Sequence, residues 1–196
     1  MLISVEGVDG AGKTTLVAGL AAALGAVVLR EPGGTAVSER IRDVLADPAL
    51  EIGPRAEALL YAAARAQLVA EQLQPLLESG TTVVLDRFVD SSLAYQGAAR
   101  GLGVEAVRAL NAFGTGGLKP DRTLLLRVDP QVGLARISDR PADRLEQEDG
   151  GFFRAIARAY DDLAAAEPER FAVIDASRPP DAVLADCLTA LGAQAP

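Results

Sequence analysis

The chain has 196 residues, 49% of them hydrophobic and 23% charged, which suits one domain with a sizeable core. A net charge of −8 argues against a duplex-binding surface, so no nucleic acid partner is expected. Histidine is absent and Cys187 is the only cysteine, which removes His-based triads, His-ligated zinc and internal disulfides.

The first element is an apolar strand, "LISVE" at residues 2–6. Nothing in the opening residues resembles a secretory signal, and no apolar run reaches membrane-spanning length. No membrane partner is therefore expected, and the cytoplasm is the expected compartment. The strand runs into "GVDGAGKTT", which matches G-x-x-x-x-G-K-[ST] through Gly7, Gly12, Lys13 and Thr14. Only two lysines occur, Lys13 and Lys119, and a chance match over the whole chain comes to roughly 0.0015.

A strand, a glycine-rich turn and then a helix at 13–24 form the context a phosphate loop requires. Gly7, Val8, Asp9, Gly10, Ala11, Gly12, Lys13, Thr14 and Thr15 are thus expected to cradle the phosphates of a nucleotide. Lys13 is expected to reach the β- and γ-phosphates and the Thr14 hydroxyl to bind Mg²⁺. Asp9 is the anomaly, a carboxylate inside an anion-binding loop.

Further along, strands are predicted at 26–30, 82–86, 123–128 and 171–175. Most read as unbroken apolar runs, as strands covered on both faces do. Helices are predicted at 36–46, 54–78, 91–100, 104–113, 130–138, 151–165 and 180–191, long enough for crossovers in a parallel three-layer α/β sheet. The third strand ends in Asp86 and Arg87, an acid suited to Mg²⁺ and a cation suited to a second phosphate. "GLGVEA" at 101–106 fits a dinucleotide fingerprint but follows a helical stretch, so it is set aside.

Residues 138–151 are polar and densely charged, with Pro141 interrupting them. Arg136, Arg140 and Arg144 recur every four residues there. Spacing alone slightly favours a solvated helix face paired with Asp139 and Asp143. The functional alternative is a lid that brings an arginine over a transferred phosphoryl group.

The segments "EGVDGAGKTT", "REPGGT", "LLYAAAR", "DRFVDSSLAYQG" and "DRLEQE" occur in this order, followed by Phe152–Phe153 and "YDDLA". Over almost the whole chain this resembles the thymidylate kinase family. The resemblance implies a three-layer P-loop nucleoside monophosphate kinase fold, with a five-stranded parallel sheet and a short lid at 138–150, as a single domain over 1–196. It also implies transfer of the ATP γ-phosphoryl group to dTMP with Mg²⁺, in a homodimer, as a step of dTTP synthesis.

By the same resemblance Arg87 contacts the dTMP phosphate, and Tyr61 stacks on thymine in place of the family's usual Phe. Arg65 reaches the base edge; Ser92 and Gln96 fall at base-contact positions. Tyr95 leaves no room for a 2′-hydroxyl, Asp9 turns toward the 3′-hydroxyl, and Glu31 stands near the phosphate acceptor. Asp86 joins Thr14 at the metal. No arginine occupies the variable loop positions, so the lid supplies it, through Arg140 or Arg144.

Three other readings share parts of this pattern. Another nucleoside monophosphate kinase would differ only in the base pocket. A GTPase-like switch needs N-K-x-D, yet the only asparagine, Asn111, precedes Ala112. A nucleoside kinase needs a carboxylate base, for which Glu6 is the candidate.

Overall fold

The computed structural model describes residues 1–139 and 142–193. Five strands form one parallel sheet: β1 (Leu2–Gly7), β2 (Val27–Arg30), β3 (Val83–Asp86), β4 (Arg122–Arg127) and β5 (Phe171–Asp175). Their order is β2-β3-β1-β4-β5. β1 is central and buried along its whole length, its polar Ser4 and Glu6 included, as a strand covered on both faces is. Register sets Val5 beside Asp86 on one side and Gly7 beside Leu126 on the other. The strand order reverses around β1, so the crevice at its carboxyl end receives the loops after β1, β2 and β3.

Helices cover both faces: α1 (Lys13–Leu24), α2 (Ala36–Ala46), α3 (Pro54–Leu68), α4 (Gln74–Glu78), α5 (Val89–Ser92), α6 (Val104–Thr115), α7 (Pro130–Arg136), α8 (Gly150–Ala166) and α9 (Pro180–Ala190). The larger core lies around the centre of the sheet, among Ile3, Val5, Leu124, Phe153 and Ile156. A smaller core around Leu68, Leu73, Leu85 and Phe88 seals the β2–β3 edge.

Two predicted helices contain something their periodicity did not reveal. The stretch predicted as one helix at 54–78 switches to π-helical bonding over Val69–Leu73. The one predicted at 91–100 begins earlier, at Val89, and is π-helical over Leu93–Ala99. A π-turn widens the helix by one residue per turn and often marks a functional segment. The second one carries Tyr95 and Gln96.

The helix predicted at 130–138 stops at Arg136, with Ile137 at its C-cap. The arginine ladder therefore does not form one solvated helix face. Asp143 caps the Leu145 and Glu146 amides at 2.9 Å each, and Arg144 turns inward to the buried Glu57 carboxylate. Arg140 lies outside the described residues.

Candidate active site

The phosphate loop hangs from β1 and ends on the N-terminus of α1, with Gly12 as the N-cap. Gly10 has φ +74°, and a Cβ there would fall 1.9 Å from the Gly133 carbonyl oxygen. Only glycine meets both demands. The close approach seats α7 directly on the loop. Lys13 Nζ donates to the Gly7 and Val8 carbonyls at 3.1 and 2.9 Å. Burial, then the nearby Arg87, lowers its pKa to about 8 against the opposing pull of Asp9.

Asp9 leaves the loop toward Arg87 and Tyr95. It forms a short ion pair with Arg87 Nη2 and accepts the Tyr95 hydroxyl at 2.9 Å. Burial raises its carboxyl pKa, but Arg87, Lys13 and the Tyr95 hydroxyl together outweigh burial and hold it below the ordinary value. The loop's negative charge is thus neutralised sideways, by the strand-end arginine. Arg87 itself has φ +68°, a left-handed conformation uncommon for a side-chain-bearing residue and often found at functional sites. Its Nη1 donates to the Gly7 carbonyl and to Ser91 Oγ at 3.1 Å each, and its guanidinium lies 5.1 Å over the Tyr95 ring.

Behind Arg87 sits Glu6, fully buried at the end of β1. It accepts from the Phe88 amide at 2.8 Å, Ser91 Oγ at 2.6 Å and the Tyr160 hydroxyl at 3.0 Å. Burial, with Asp90 nearby, pushes its pKa up to about 7. Both oxygens are engaged by the scaffold, so Glu6 supports Arg87 through Ser91. That arrangement disfavours the nucleoside kinase reading, which needs this carboxylate free.

Thr14 Oγ1 and Asp86 Oδ2 stand 3.4 Å apart at the loop's mouth. One hydroxyl and one carboxylate are hard oxygen donors of the kind that would hold Mg²⁺, which would supply positive charge beside bound phosphates. Among the described residues no cluster of three or more Cys, Asp or Glu side chains offers an alternative cage.

On the far side, Arg65 projects from α3 and is almost wholly buried. Its Nε donates to Glu31 Oε2 at 2.6 Å, Nη1 to Ser92 Oγ at 3.0 Å and to Asn111 Oδ1, and Nη2 to the Phe88 carbonyl at 3.0 Å. Four of its five N–H groups are thereby held, which fixes the plane of the guanidinium. Glu31 has its second oxygen buried without a partner, and burial raises its pKa to about 7 despite Arg65. Tyr61, half-buried on the same helix, has its phenol pushed upward by burial and by the Glu57 carboxylate. Gln96 donates to Glu57 at 2.9 Å.

Most of these groups line one continuous cavity of about 940 Å³, with Glu6, Glu57, Asn111 and Tyr160 behind its wall. It brings together Asp9, the glycine-rich loop, Lys13, Thr14, Thr15, Glu31, Tyr61, Arg65, Asp86, Arg87, Ser92, Tyr95 and Gln96. Gly7 and Val8 enter through their carbonyls, which hold Lys13. Arg144 stands behind this wall. Several residues were not singled out from sequence. Arg30 and Arg42 line the cavity and both donate to the Pro32 carbonyl, at 3.0 and 2.9 Å. Arg136, grouped with the lid from its spacing, instead bonds the Ala176 carbonyl at 3.2 Å beside the phosphate loop. The glycine inside "QVGLAR" was the one local signal for the α7 contact.

A parallel sheet of this order, with a phosphate loop on its central strand, is the architecture of a P-loop nucleoside monophosphate kinase. Known proteins narrow that class. The profile of the thymidylate kinase family matches residues 5–187. The thymidylate kinase of Deinococcus radiodurans is 52% identical over 197 residues, spanning 97% of this chain and 96% of that protein. That of Latilactobacillus sakei is 49% identical, spanning 95% and 92%. A crystal structure of thymidylate kinase from Ehrlichia chaffeensis superposes with a TM-score of 0.82 at 28% identity over 98% of both chains. The chain belongs to the thymidylate kinase family.

Proposed function

We propose that this protein transfers the γ-phosphoryl group of ATP to dTMP, giving dTDP and ADP on the way to dTTP. The carrying observation is the Asp9–Arg87–Tyr95 cluster, which joins the ATP loop to a second anion and sugar position within one cavity. The loop amides and the N-terminus of α1 bind the donor phosphates, and Lys13 moves from its loop carbonyls onto the β- and γ-oxygens. Arg87 holds the acceptor phosphate. Asp9 accepts the 3′-hydroxyl of dTMP, and the Tyr95 ring fills the space of a 2′-hydroxyl. Tyr61 stacks on the base while the remaining N–H of Arg65, with Ser92 and Gln96, reads its edge.

Thr14 and Asp86 hold Mg²⁺, which offsets charge on the donor phosphates. Catalysis in this reading is positioning and charge neutralisation, because an acceptor phosphate oxygen is already nucleophilic. The chain works as one domain with a lid near 138–150, and Arg140 is the lid arginine that meets the transferred group. Arg144 has partners elsewhere. The protein acts as a homodimer in the cytoplasm. Among the described residues no helix is long and apolar enough to cross a membrane.

Release of ADP from Mg-ATP across dTMP, dUMP, UMP, dCMP, AMP, GMP, thymidine and water tests the assignment. The expected order is dTMP first, dUMP weaker, and almost nothing with water or thymidine. Turnover led by a different monophosphate would keep the fold and remove the thymine pocket from the reading.

A further inference from the structure

Glu57 lies in the first turn of α3 with none of its surface exposed, and sequence spacing gives it no partner. In the fold, three side chains converge on its carboxylate. Gln96 Nε2 stands 2.9 Å from Oε1, Arg100 Nε 3.3 Å from Oε1 and Arg100 Nη2 3.1 Å from Oε2. Arg144 Nη2 lies 2.8 Å from Oε2, an ion pair whose N–H points off the hydrogen-bond line. Arg144 Nε also donates to the Leu45 carbonyl at the end of α2, at 3.0 Å. Arg100 extends the chain with Nη1 on Glu148 at 2.6 Å, and its guanidinium lies 4.7 Å over the Phe152 ring. That ring meets Tyr95 edge-on at 6.2 Å.

The cluster holds two carboxylates and two guanidiniums, so its formal charges cancel, as a buried ionic group requires. It joins pieces of chain that no backbone hydrogen-bond ladder connects. Glu57 belongs to the helix that carries Tyr61 and Arg65. Arg100 follows the π-helical segment with Tyr95 and Gln96. Arg144 and Glu148 belong to the segment between α7 and α8, whose Asp143 and Leu145 face the cavity.

We propose that Glu57 is a positioning residue for the acceptor nucleotide. Through Arg100 and Arg144 it locks the 142–149 segment to α3, and through Gln96 it sets the amide that faces the acceptor base. It touches neither substrate. The phosphate loop lies across the cavity and is untouched by the cluster, so the effect is confined to one substrate. The inference rests on the kinase reading for the identity of the acceptor.

Steady-state kinetics of Glu57→Gln, Arg144→Met, their double variant and Arg144→Lys test it, alongside thermal unfolding of each. Each neutral single variant is expected to raise the acceptor KM about tenfold and lower kcat several-fold, with the ATP KM shifted less than about twofold. The double variant should lose little more than the worse single, because both break the same cluster. Arg144→Lys should recover a large part of the loss. Parallel rises in both KM values, losses that multiply in the double variant, or lowered melting with wild-type kinetics would each overturn the proposal. If Glu57→Gln does not fold, Arg100→Met replaces it in the same cycle. Wild-type enzyme that prefers another monophosphate would change the acceptor's name, and the cycle is then run on that acceptor.

Discussion

At the scale of single residues, the cavity is a balance of charges that the backbone alone would not tolerate. Lys13 shows the balance most directly. Its ammonium is buried beside Arg87, and its pKa falls to about 8, whereas the ordinary lysine value is 10.5. A base with a lowered pKa is a cation below that value and neutral above it, and only the cation grips phosphate. The kcat/KM for ATP, which reports the free enzyme, should therefore fall with a basic limb near pH 8, about tenfold per unit beyond it. Tyr61 and Tyr95 are pushed upward and Arg87 is raised well above its ordinary value, so they hold their protonation through that range. Bound phosphates favour the ammonium, so ATP binding at pH 8 should take up close to half a proton, visible as a heat that changes with buffer ionisation enthalpy. A flat profile to pH 9.5 with no proton uptake would mean that the free enzyme keeps Lys13 fully charged. At the same scale, Arg65 needs Glu31, Ser92 and Asn111 to hold its plane. Removing its buried ion-pair partner Glu31 costs about 3–5 kcal/mol.

At the scale of elements, the tightest junction is between the phosphate loop and α7. A Cβ on Gly133 would meet the Asp9 carbonyl oxygen at 2.4 Å, and one on Gly10 would meet the Gly133 carbonyl oxygen at 1.9 Å. Two effects compete in Gly133→Ala. Alanine favours the helix by about 1 kcal/mol, whereas forcing a backbone contact of this kind costs about 1–3 kcal/mol. The clash sets a Cβ fixed to the helix backbone against a backbone carbonyl and cannot relax by a rotamer change, so it should win. The expected variant melts lower and has a raised ATP KM, since the loop must shift. A variant at least as stable as the parent with an unchanged ATP KM would show that α7 yields freely. This junction also marks the limit of what the sequence discloses. The strands were legible because β1, β3 and β4 are each built around an apolar run, and the phosphate loop because its spacing matches its chemistry. The π-helical segment under Tyr95 was not, since hydrogen-bond register leaves no trace in apolar periodicity. The four-residue spacing of Arg136, Arg140 and Arg144 suggested a shared face. The chain breaks at Ile137 and sends one to Ala176 and the other to Glu57, a partner 87 positions away. Contacts over such distances, like Arg87 with Asp9, have no local sequence signature.

At the scale of the whole molecule, two features bear on assembly. Phe113 on α6 is 91% exposed and Leu59 on α3 is 56% exposed, on helices that pack together where Gly114 meets Ala62 and Ala66. A second copy related by a two-fold axis would cover each of these side chains twice. Burying one such side chain is worth about 1.5–3 kcal/mol, so the pair of Phe113 rings contributes on the order of a hundredfold or more in dimer affinity. Opposing this is the net charge of −8 on each copy. That repulsion acts over a Debye length of about 30 Å at 0.01 M salt and about 10 Å at 0.1 M. Apolar contact is indifferent to such screening, so dimerisation of the parent protein should strengthen as salt rises across this range. Phe113→Asp removes the apolar term and adds two charges to the interface; it should sediment as a monomer at concentrations where the parent is a dimer. Because α3 also carries Tyr61 and Arg65 on its inner face, the monomer should show a raised acceptor KM with the ATP KM little changed. A parent that stays monomeric at tens of micromolar in 0.1 M salt, or a Phe113→Asp variant that dimerises as well as the parent, would remove this face from the assembly.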